Sequence, residues 1–429
     1  MISTFRNAWR IPELRKKILF TIFMLVLYRI GAAIMVPYVD TNALASYFQS
    51  LKGTVLDFYN TLSGSAFSQA SVLALSIQPY INASIIIQLL TIAIPALERM
   101  SKEEGEEGKK KLTRITRFTT IGLGLLMGSA YCVMLNNYNI LTEGANFLNY
   151  LVIVLTFTAG SALVMWMGEQ ITEFGIGNGI SMILFANIVG RLPENVINLV
   201  KGLSAGAMVW WQALIIVVAV MALVVLIVFV NDAERRIPVQ YAKRVVGRKV
   251  YGGQNTNLPI KVNMSGVMPV IFAQSIASLP ATIFAFTHVK TGVGFWGVVR
   301  GIFEPTGWFY AFLYFILIFG FAYFYAAIQY DPTEIANNLK KNGGFIPGFR
   351  PGKPTADFIG KVIRKVTLFG AIYLAIAALL PIIGGDLIPG VRSLGIGGTS
   401  VIIVVGVALE TVQALEAQML MRHYKGFLE

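Results

Sequence analysis

The sequence predicts an all-α, polytopic membrane protein with ten transmembrane helices. Hydrophobic residues make up 55% of its 429 residues, and charged residues only 13%, whereas soluble domains carry about 25% charged residues. Apolar runs of 18 or more residues recur along the chain, which is long enough for a helix to cross a bilayer. The basic residues that separate these runs fall mostly on one side of the predicted membrane.

Ten runs are apolar enough and long enough to be spans, and each is expected to be helical because the bilayer core leaves backbone groups no water to bond. Their predicted bounds are Ile18–Val36, Val72–Leu90, Ile115–Leu135, Leu148–Met167, Ile176–Leu199, Val209–Val230, Val267–Phe286, Trp308–Ile328, Val366–Ile383 and Thr399–Met419.

The distribution of Lys and Arg sets the orientation of these spans, because basic loops stay in the cytoplasm. With the N-terminus inside, the cytoplasmic segments hold 28 of the 35 Lys and Arg residues. The sequence therefore predicts that both termini are cytoplasmic and that the number of spans is even.

An even division assigns spans one to five to residues 1–200 and spans six to ten to residues 201–429. Two halves with an odd number of spans each have opposite orientations, and many transport proteins are built from such inverted repeats. No sequence identity between the halves is evident, so this division is a prediction from topology.

The external segment between Pro37 and Ser71 is too short and too rich in glycine to span the membrane. It contains Val55–Tyr59 and the small-residue stretch Ser63-Gly64-Ser65-Ala66-Phe67. Two interpretations remain open: an ordinary external loop, or a half-helix that turns back into the protein, which is tolerated only where protein or water surrounds it.

Two long basic loops, 231–264 and 329–365, face the cytoplasm in this topology. The second contains Gly343–Gly352, whose Gly and Pro residues favour defined turns over a flexible coil. Topology alone accounts for their charge, but their length and turn chemistry favour a docking surface for an acidic partner or for RNA phosphates.

The sequence contains no His-Glu-x-x-His motif, no cluster of metal ligands and only two histidines. Gly105-x-x-Gly108-Lys109 lacks the spacing and the hydroxyl residue of a nucleotide-binding P-loop. The sequence therefore predicts neither an enzyme nor a cofactor or metal site, and any energy must come from a partner or a gradient.

A secondary transporter of a small solute is the alternative hypothesis. Ion-coupled transporters place ionisable residues deep within their spans, and here the candidates are Arg29 in span one and Glu410 in span ten. Both are interpreted as residues near the membrane interface, which weakens this hypothesis without removing it, because broken helices can bind ions through backbone carbonyls.

Four blocks of sequence, in order along the chain, resemble those of the SecY family, whose members form the central channel of the bacterial Sec protein translocase. The resemblance extends over essentially the whole chain. The blocks are Ser76–Leu90, Gly168–Glu173 with Gly175–Ser181, Lys261–Pro269, and Phe349–Gly352.

The resemblance implies an hourglass pore through one molecule, closed by a re-entrant plug at about residues 57–67, including Ser63, Gly64, Ser65, Ala66 and Phe67. At the waist it implies a ring of apolar side chains. That ring comprises Ile81, Ile85, Ile180, Leu184, Ile271 and Ile403.

The same resemblance implies a lateral gate toward lipid between spans two and seven, lined by Asn82, Ser84, Gln88, Gln274 and Ser275. It makes Arg235, Arg236, Arg248, Lys249 and Arg350 the expected contacts for the ribosome and its RNA or for the SecA motor ATPase. SecE, and with it SecG, would be companion subunits in the bacterial plasma membrane. Signal sequences and nascent polypeptides would be the cargo, and hydrophobic segments would leave into the lipid bilayer.

Overall fold

A computed structural model describes most of the chain, with gaps in several loops. The described residues are 2–50, 55–102, 104–142, 146–204, 206, 209–241, 244–246, 249–251, 255–286, 294–303, 307–387 and 398–425.

Helices dominate the described residues. They are α1 (Ile2–Arg10), α2 (Pro12–Ala32), α3 (Thr41–Ser50), α4 (Val55–Leu62), α5 (Gln78–Ala93), α6 (Pro95–Lys102), α7 (Gly105–Asn137), α8 (Phe147–Phe174), α9 (Gly179–Ser204), α10 (Trp210–Asp232), α11 (Met268–Phe286), α12 (Gly294–Ile302), α13 (Trp308–Gln329), α14 (Pro332–Lys341), α15 (Lys353–Leu387) and α16 (Gly398–Lys425). The strands are β1 (Glu234–Tyr241), β2 (Arg244–Val246), β3 (Lys249–Tyr251), β4 (Asn255–Lys261) and β5 (Gly344–Phe345).

Each of the ten predicted spans overlaps one helix: α2, α5, α7 to α11, α13, α15 or α16. Within the described residues, seven helices are long and apolar enough to cross a membrane by themselves. An eighth span results if α5 and α6, which meet at a bend of 105°, are taken together. Of the remaining two helices, α11 is apolar but short. Helix α2 is long enough to cross a membrane, but it carries the charged residues Lys16, Lys17 and Arg29.

Two predicted span ends differ from the helices for a local reason. Helix α2 ends at Ala32, and the chain beyond it pairs with the segment before α5: Met35 forms an isolated bridge with Ser71, and the Val36 amide donates to the Ala70 carbonyl at 3.0 Å. Helix α5 accordingly begins at Gln78, with Pro79 in its first turn, where the fixed backbone angle of proline suits a helix start. The predicted division at residue 200 falls within α9, which continues to Ser204.

A three-stranded antiparallel sheet joins the two long basic loops. Strand β1 pairs with β4 from Glu234↔Lys261 to Gln240↔Asn255, and it pairs on its other side with β5 through Gln240↔Phe345. Alternate residues of β1 are buried in a small apolar cluster with residues from α13, α14 and α15. The all-α prediction therefore holds for the spans and misses this sheet outside them.

The membrane-spanning part is held by one large apolar cluster that draws buried side chains from both predicted halves. A second cluster lies around α3, α4, α7 and α8. Many large apolar side chains point outward instead, such as Phe229 (74% exposed) and Phe312 (62% exposed). An exposed apolar belt of this kind suits a surface that faces lipid.

Gly160 allows the segment between α2 and α5 to approach α8 closely. A Cβ atom at this position of α8 would lie 1.9 Å from the Val72 carbonyl oxygen, a backbone atom that cannot swing aside. The segment between α2 and α5 can therefore rest directly on α8 only because residue 160 has no side chain.

We predict that Gly160→Ala lowers the stability of the chain by about 1–3 kcal/mol, because overpacking forces the backbone to shift. Cys132 is the only cysteine in the sequence and is fully buried, so a thiol-reactive fluorescent dye reports thermal unfolding directly. Gly122→Ala is the matched control, since its Cβ would meet no atom within 4 Å. Equal unfolding temperatures for the two variants would show that this contact is absent in solution.

Candidate functional site

The six residues predicted to form the waist ring lie in one apolar cluster. Ile81, Ile85, Leu184, Ile271 and Ile403 are 1–6% exposed, and Ile180, which is half-buried, packs against them. They come from α5, α9, α11 and α16, so the cluster joins both predicted halves. The ring itself stays a prediction, because membership of a large cluster does not define a pore.

Polar residues flank the apolar waist along two of the contributing helices. On α5, Gln78 and Gln88 stand at helical spacing on either side of Ile81 and Ile85, and on α9 the buried Asn187 follows Leu184 by one turn. Residues three or four apart share one face of a helix. Each of these faces therefore carries an apolar patch next to polar side chains.

The re-entrant interpretation agrees with the position of α4. This short helix contacts α9 from the first half and α11 from the second, and Leu62 at its end is 3% exposed within the central cluster. The five predicted plug residues Ser63–Phe67 lie in the turns that follow the helix. Gly64 and Ser65 both have positive φ values, 64° and 72°, a region that costs residues other than glycine about 1–2 kcal/mol.

Phe67 fastens the far end of this segment to α7. Its ring stacks on Tyr131 with centroids 4.5 Å apart, and the Tyr131 hydroxyl donates to the Phe67 carbonyl at 2.6 Å. Both residues are buried, so the segment is fixed at one end by aromatic packing and a hydrogen bond.

Arg29 lies against the plug segment, which differs from its interpretation as an interface residue. Its guanidinium donates to three backbone carbonyls: Gly64 at 3.2 Å, Ala186 at 2.9 Å and Asn187 at 3.4 Å. The sequence did contain a signal, because an ionisable residue within an apolar span usually faces the protein interior.

Arg191 of α9, which lies within the predicted span Ile176–Leu199, also contacts the plug segment. It forms an ion pair with Asp57 at 3.8 Å, and its Nη1 donates to the Thr61 hydroxyl. As for Arg29, an ionisable residue within a predicted span was a signal, but the sequence did not indicate Asp57 and Thr61 as the partners of Arg191.

Two of the five residues predicted to line the lateral gate, Gln88 and Gln274, pair with tyrosines of α13. The Tyr325 hydroxyl donates to Gln88 Oε1 at 2.9 Å, and Gln274 Nε2 donates to the Tyr310 hydroxyl at 2.9 Å. Ser84 accepts a weaker bond of 3.4 Å from Gln88 Nε2, and Asn82 approaches the Met127 sulfur of α7 at 4.0 Å. The Tyr325–Gln88 bond joins the two predicted halves.

Helices α5 and α11 contact each other, and the α11 residue Ser275 is buried. The structure thus brings the two predicted sides of the gate together. Their role as a gate stays a prediction.

The predicted docking residues lie on the three-stranded sheet, on the separate antiparallel pair of β2 and β3, and on a neighbouring turn. Arg235 and Arg236 are exposed on β1, and Arg236 pairs with Glu234 at 2.7 Å. Lys249 lies in β3, whereas Arg248 lies outside the described residues.

Arg350 is exposed on a turn held from three sides. Phe349 stacks on Phe358 with ring centroids 4.3 Å apart, the Thr355 hydroxyl donates to the Arg350 carbonyl at 2.8 Å, and Ile346 is buried in the small apolar cluster beside the sheet. The side chain of Arg350 is thereby presented on a rigid support.

An open cavity of about 550 Å³ lies where β4 meets α11, α13 and α16. Its lining mixes charge and amide groups, including Lys261, Asn263, Glu410 and Gln413, and Lys261 Nζ donates to Gln413 Oε1 at 2.6 Å. Glu410, interpreted as an interface residue, lines this polar cavity at the sheet end of the helices.

Comparison with known proteins identifies the family to which this chain belongs. The family model described as SecY matches residues 71–412. The chain is 44% identical to the protein translocase subunit SecY of Corynebacterium glutamicum, with 100% of both chains covered. The chain belongs to the SecY family.

Solved structures show the same fold at low sequence identity. A SecY structure matches with a TM-score of 0.66 and 19% identity. That structure is described with the statement that the plug domain of SecY stabilises the closed state of the translocation channel and maintains a membrane seal. Sec61 in a canine ribosome–channel complex from the endoplasmic reticulum matches with a TM-score of 0.65 and 17% identity. Each match covers 94% of this chain and 92% of the other.

This SecY-family chain is therefore a multi-pass membrane protein and a subunit of a protein-conducting channel, and it is not an enzyme. The comparisons give no support to the solute-transporter hypothesis. The fold, the channel function and the family resemblance predicted from the sequence are confirmed.

We predict that Tyr325→Phe lowers the stability of the folded chain by about 0.6 kcal/mol, the average for a hydrogen bond between membrane helices, with about 1.7 kcal/mol as the upper limit. Dye labelling of Cys132 during heating measures the loss of stability. A double-mutant cycle with Gln88→Leu isolates the coupling, and Tyr323→Phe is the control, because its hydroxyl bonds an exposed carbonyl of α15 instead. Zero coupling between the two changes would mean that this bond does not join the halves.

Proposed function

We propose that this chain conducts unfolded secretory polypeptides across the bacterial plasma membrane and releases hydrophobic segments sideways into lipid. The observation that carries this proposal is the seating of α4 between α9 and α11, directly against the apolar cluster that contains all six predicted ring residues. In this arrangement the cluster is the waist of the channel, and residues 57–67 are its plug.

A ring of branched aliphatic side chains suits this task. Such side chains offer ions no coordinating atoms, so a narrow apolar waist can exclude ions by dewetting. They also make no directional bonds, so they yield around a passing polypeptide without binding a particular sequence. The polar groups above and below the waist keep the flanking funnels wet.

Lateral release would take place between α5 and α11. Hydrogen bonds between membrane helices are individually modest, so Tyr325–Gln88, which joins α5 to α13 beside the seam, can help to hold it closed without making it permanent. An apolar signal sequence that enters the seam replaces polar contacts by partition into the bilayer.

The driving force would come from a ribosome or from the SecA motor, docked on the sheet that joins the two basic loops. Arg235, Arg236, Lys249 and Arg350 are the proposed contacts, with Arg248 as a fifth, because exposed arginines suit RNA phosphates and acidic protein surfaces alike. SecE and SecG are the proposed companion subunits. Both termini of the chain face the cytoplasm in this proposal.

We expect a stalled nascent chain to crosslink to the waist. In a Cys132→Ser background, Ile81→Cys and Ile271→Cys should each form a disulfide with a cysteine placed in the stalled segment. Ile316→Cys is the control, since Ile316 is 49% exposed on the outer surface of α13. Absence of crosslinks at both waist positions in a reconstituted system that translocates normally would refute the pore assignment.

We expect Arg350→Glu to reduce ribosome- or motor-driven transport about tenfold or more, because a like charge at a docking surface costs several kcal/mol. Folding should be unaffected, since the described contact of Arg350 uses its backbone carbonyl. Lys353→Glu introduces the same charge change three residues later and should have a smaller effect. Transport in vesicles by the reconstituted complex provides the measurement, and unchanged transport by Arg350→Glu would remove this residue from the docking surface.

A further inference from the structure

The plug segment is held by charge as well as by apolar contact. Arg191 projects from α9 toward α4, where it pairs with Asp57 and donates to the Thr61 hydroxyl. The side chains of Arg191 and Asp57 are only 13% and 14% exposed, so water screens their attraction weakly. Apart from these partners, Arg191 has a marginal contact of 4.0 Å with the exposed Glu194.

Arg29 holds the turn that follows α4, and its site is shaped for it. A Cβ atom at Gly190 would lie 1.7 Å from Arg29 Nη2, and one at Gly64 would lie 2.8 Å from Nη1. Two glycines, one on α9 and one in the plug segment, thus leave the space that the guanidinium fills. The Gly64 carbonyl accepts one of its hydrogen bonds, and carbonyls of α9 accept the others.

Asn187 completes the contact at the end of α4. It is fully buried, and its Nδ2 donates to the Leu62 carbonyl at 2.7 Å and to the Tyr28 hydroxyl at 2.9 Å. Tyr28 in turn bonds Ser76 at 3.0 Å in the turn before α5. The plug segment is therefore tied to α2, to α9 and to the start of α5 by one polar network.

We propose that Arg29 and Arg191 are positioning residues that latch the plug segment in the waist and set the threshold at which the channel opens. The inference rests on the proposed plug function and adds to it the residues that hold the plug. Displacement of the segment breaks its bonds to Arg29, Arg191 and Asn187 together, so the resting state is stabilised cooperatively.

The two arginines contribute unequally. When the segment leaves, Arg29 keeps its acceptors at Ala186 and Asn187 and loses only the one at Gly64. Arg191 loses both Asp57 and Thr61. A charge that loses its partners in a low-dielectric setting is costly, so Arg191 sets most of the threshold, whereas Arg29 stays in place to rebind the returning segment.

The resting leak of K⁺ and Cl⁻ tests the latch. The complete translocase complex is reconstituted in planar bilayers, and the KCl current is recorded with no polypeptide present. Asp57→Asn, which keeps the shape of the side chain and removes its charge, should raise the leak about tenfold or more, because removing one partner of a largely buried ion pair is strongly destabilising. Arg191→Gln should do the same, and Arg191→Lys should restore much of the seal.

A pair of glycine variants tests Arg29 without changing it. Gly190→Ala removes the space for its guanidinium and should raise the leak, whereas Gly320→Ala, whose Cβ would meet no atom within 4 Å, should not. Dye labelling of Cys132 during heating identifies variants that leak because they unfold. A leak with an unchanged unfolding temperature supports the latch.

Deletion of residues 57–67 distinguishes a failure of the latch from a failure of the plug assignment. If the deletion leaks and Asp57→Asn, Arg191→Gln and Gly190→Ala all stay as tight as the unmodified complex, the latch is refuted and the plug stands. If the deletion itself does not leak, the plug assignment is wrong and the latch fails with it.

Discussion

Apolar contact between the two halves is the interaction on which the remainder of the molecule depends. Side chains of α5, α9, α11 and α16 meet in one buried cluster, and the same surfaces would have to separate for a polypeptide to pass. Membrane helices gain little from apolar burial, because lipid is as apolar as leucine, and their association depends on packing and polar contacts. Two halves joined in this way can close the channel at rest and still separate when a polypeptide passes.

Two groups of polar contacts lie beside the apolar cluster that joins the halves. Tyr325 and Gln88 connect the halves at one level, and Arg29, Asn187 and Arg191 surround the plug segment at another. Polar groups inside a membrane protein cost free energy unless they are paired. These two groups of paired residues therefore add specific contacts beside the apolar cluster, one between the halves and one around the plug segment.

Hydropathy and basic loops predicted the spans because the bilayer imposes both constraints directly on the sequence. The ends of α2 and α5 were missed because they depend on pairing between Val36 and Ala70, which no local pattern encodes. The sheet was missed because β4 and β5 reach β1 from separate loops. The ring residues came from family resemblance. Arg29 and Arg191 shared a recognisable signal, a charge within a predicted span. The partner of Arg191 had none, because Asp57 lies more than a hundred positions away and the pair depends on the tertiary fold.

The fastening of Phe67 to α7 affects how the channel would recover after use. A plug segment that moves while Phe67 stays fixed remains tethered beside its own seat. Its return is then an intramolecular reaction, driven by an effective concentration in the millimolar range that is usual for short tethers. Resealing would follow the departure of the cargo at a rate set by the chain itself, whatever the supply of partner proteins.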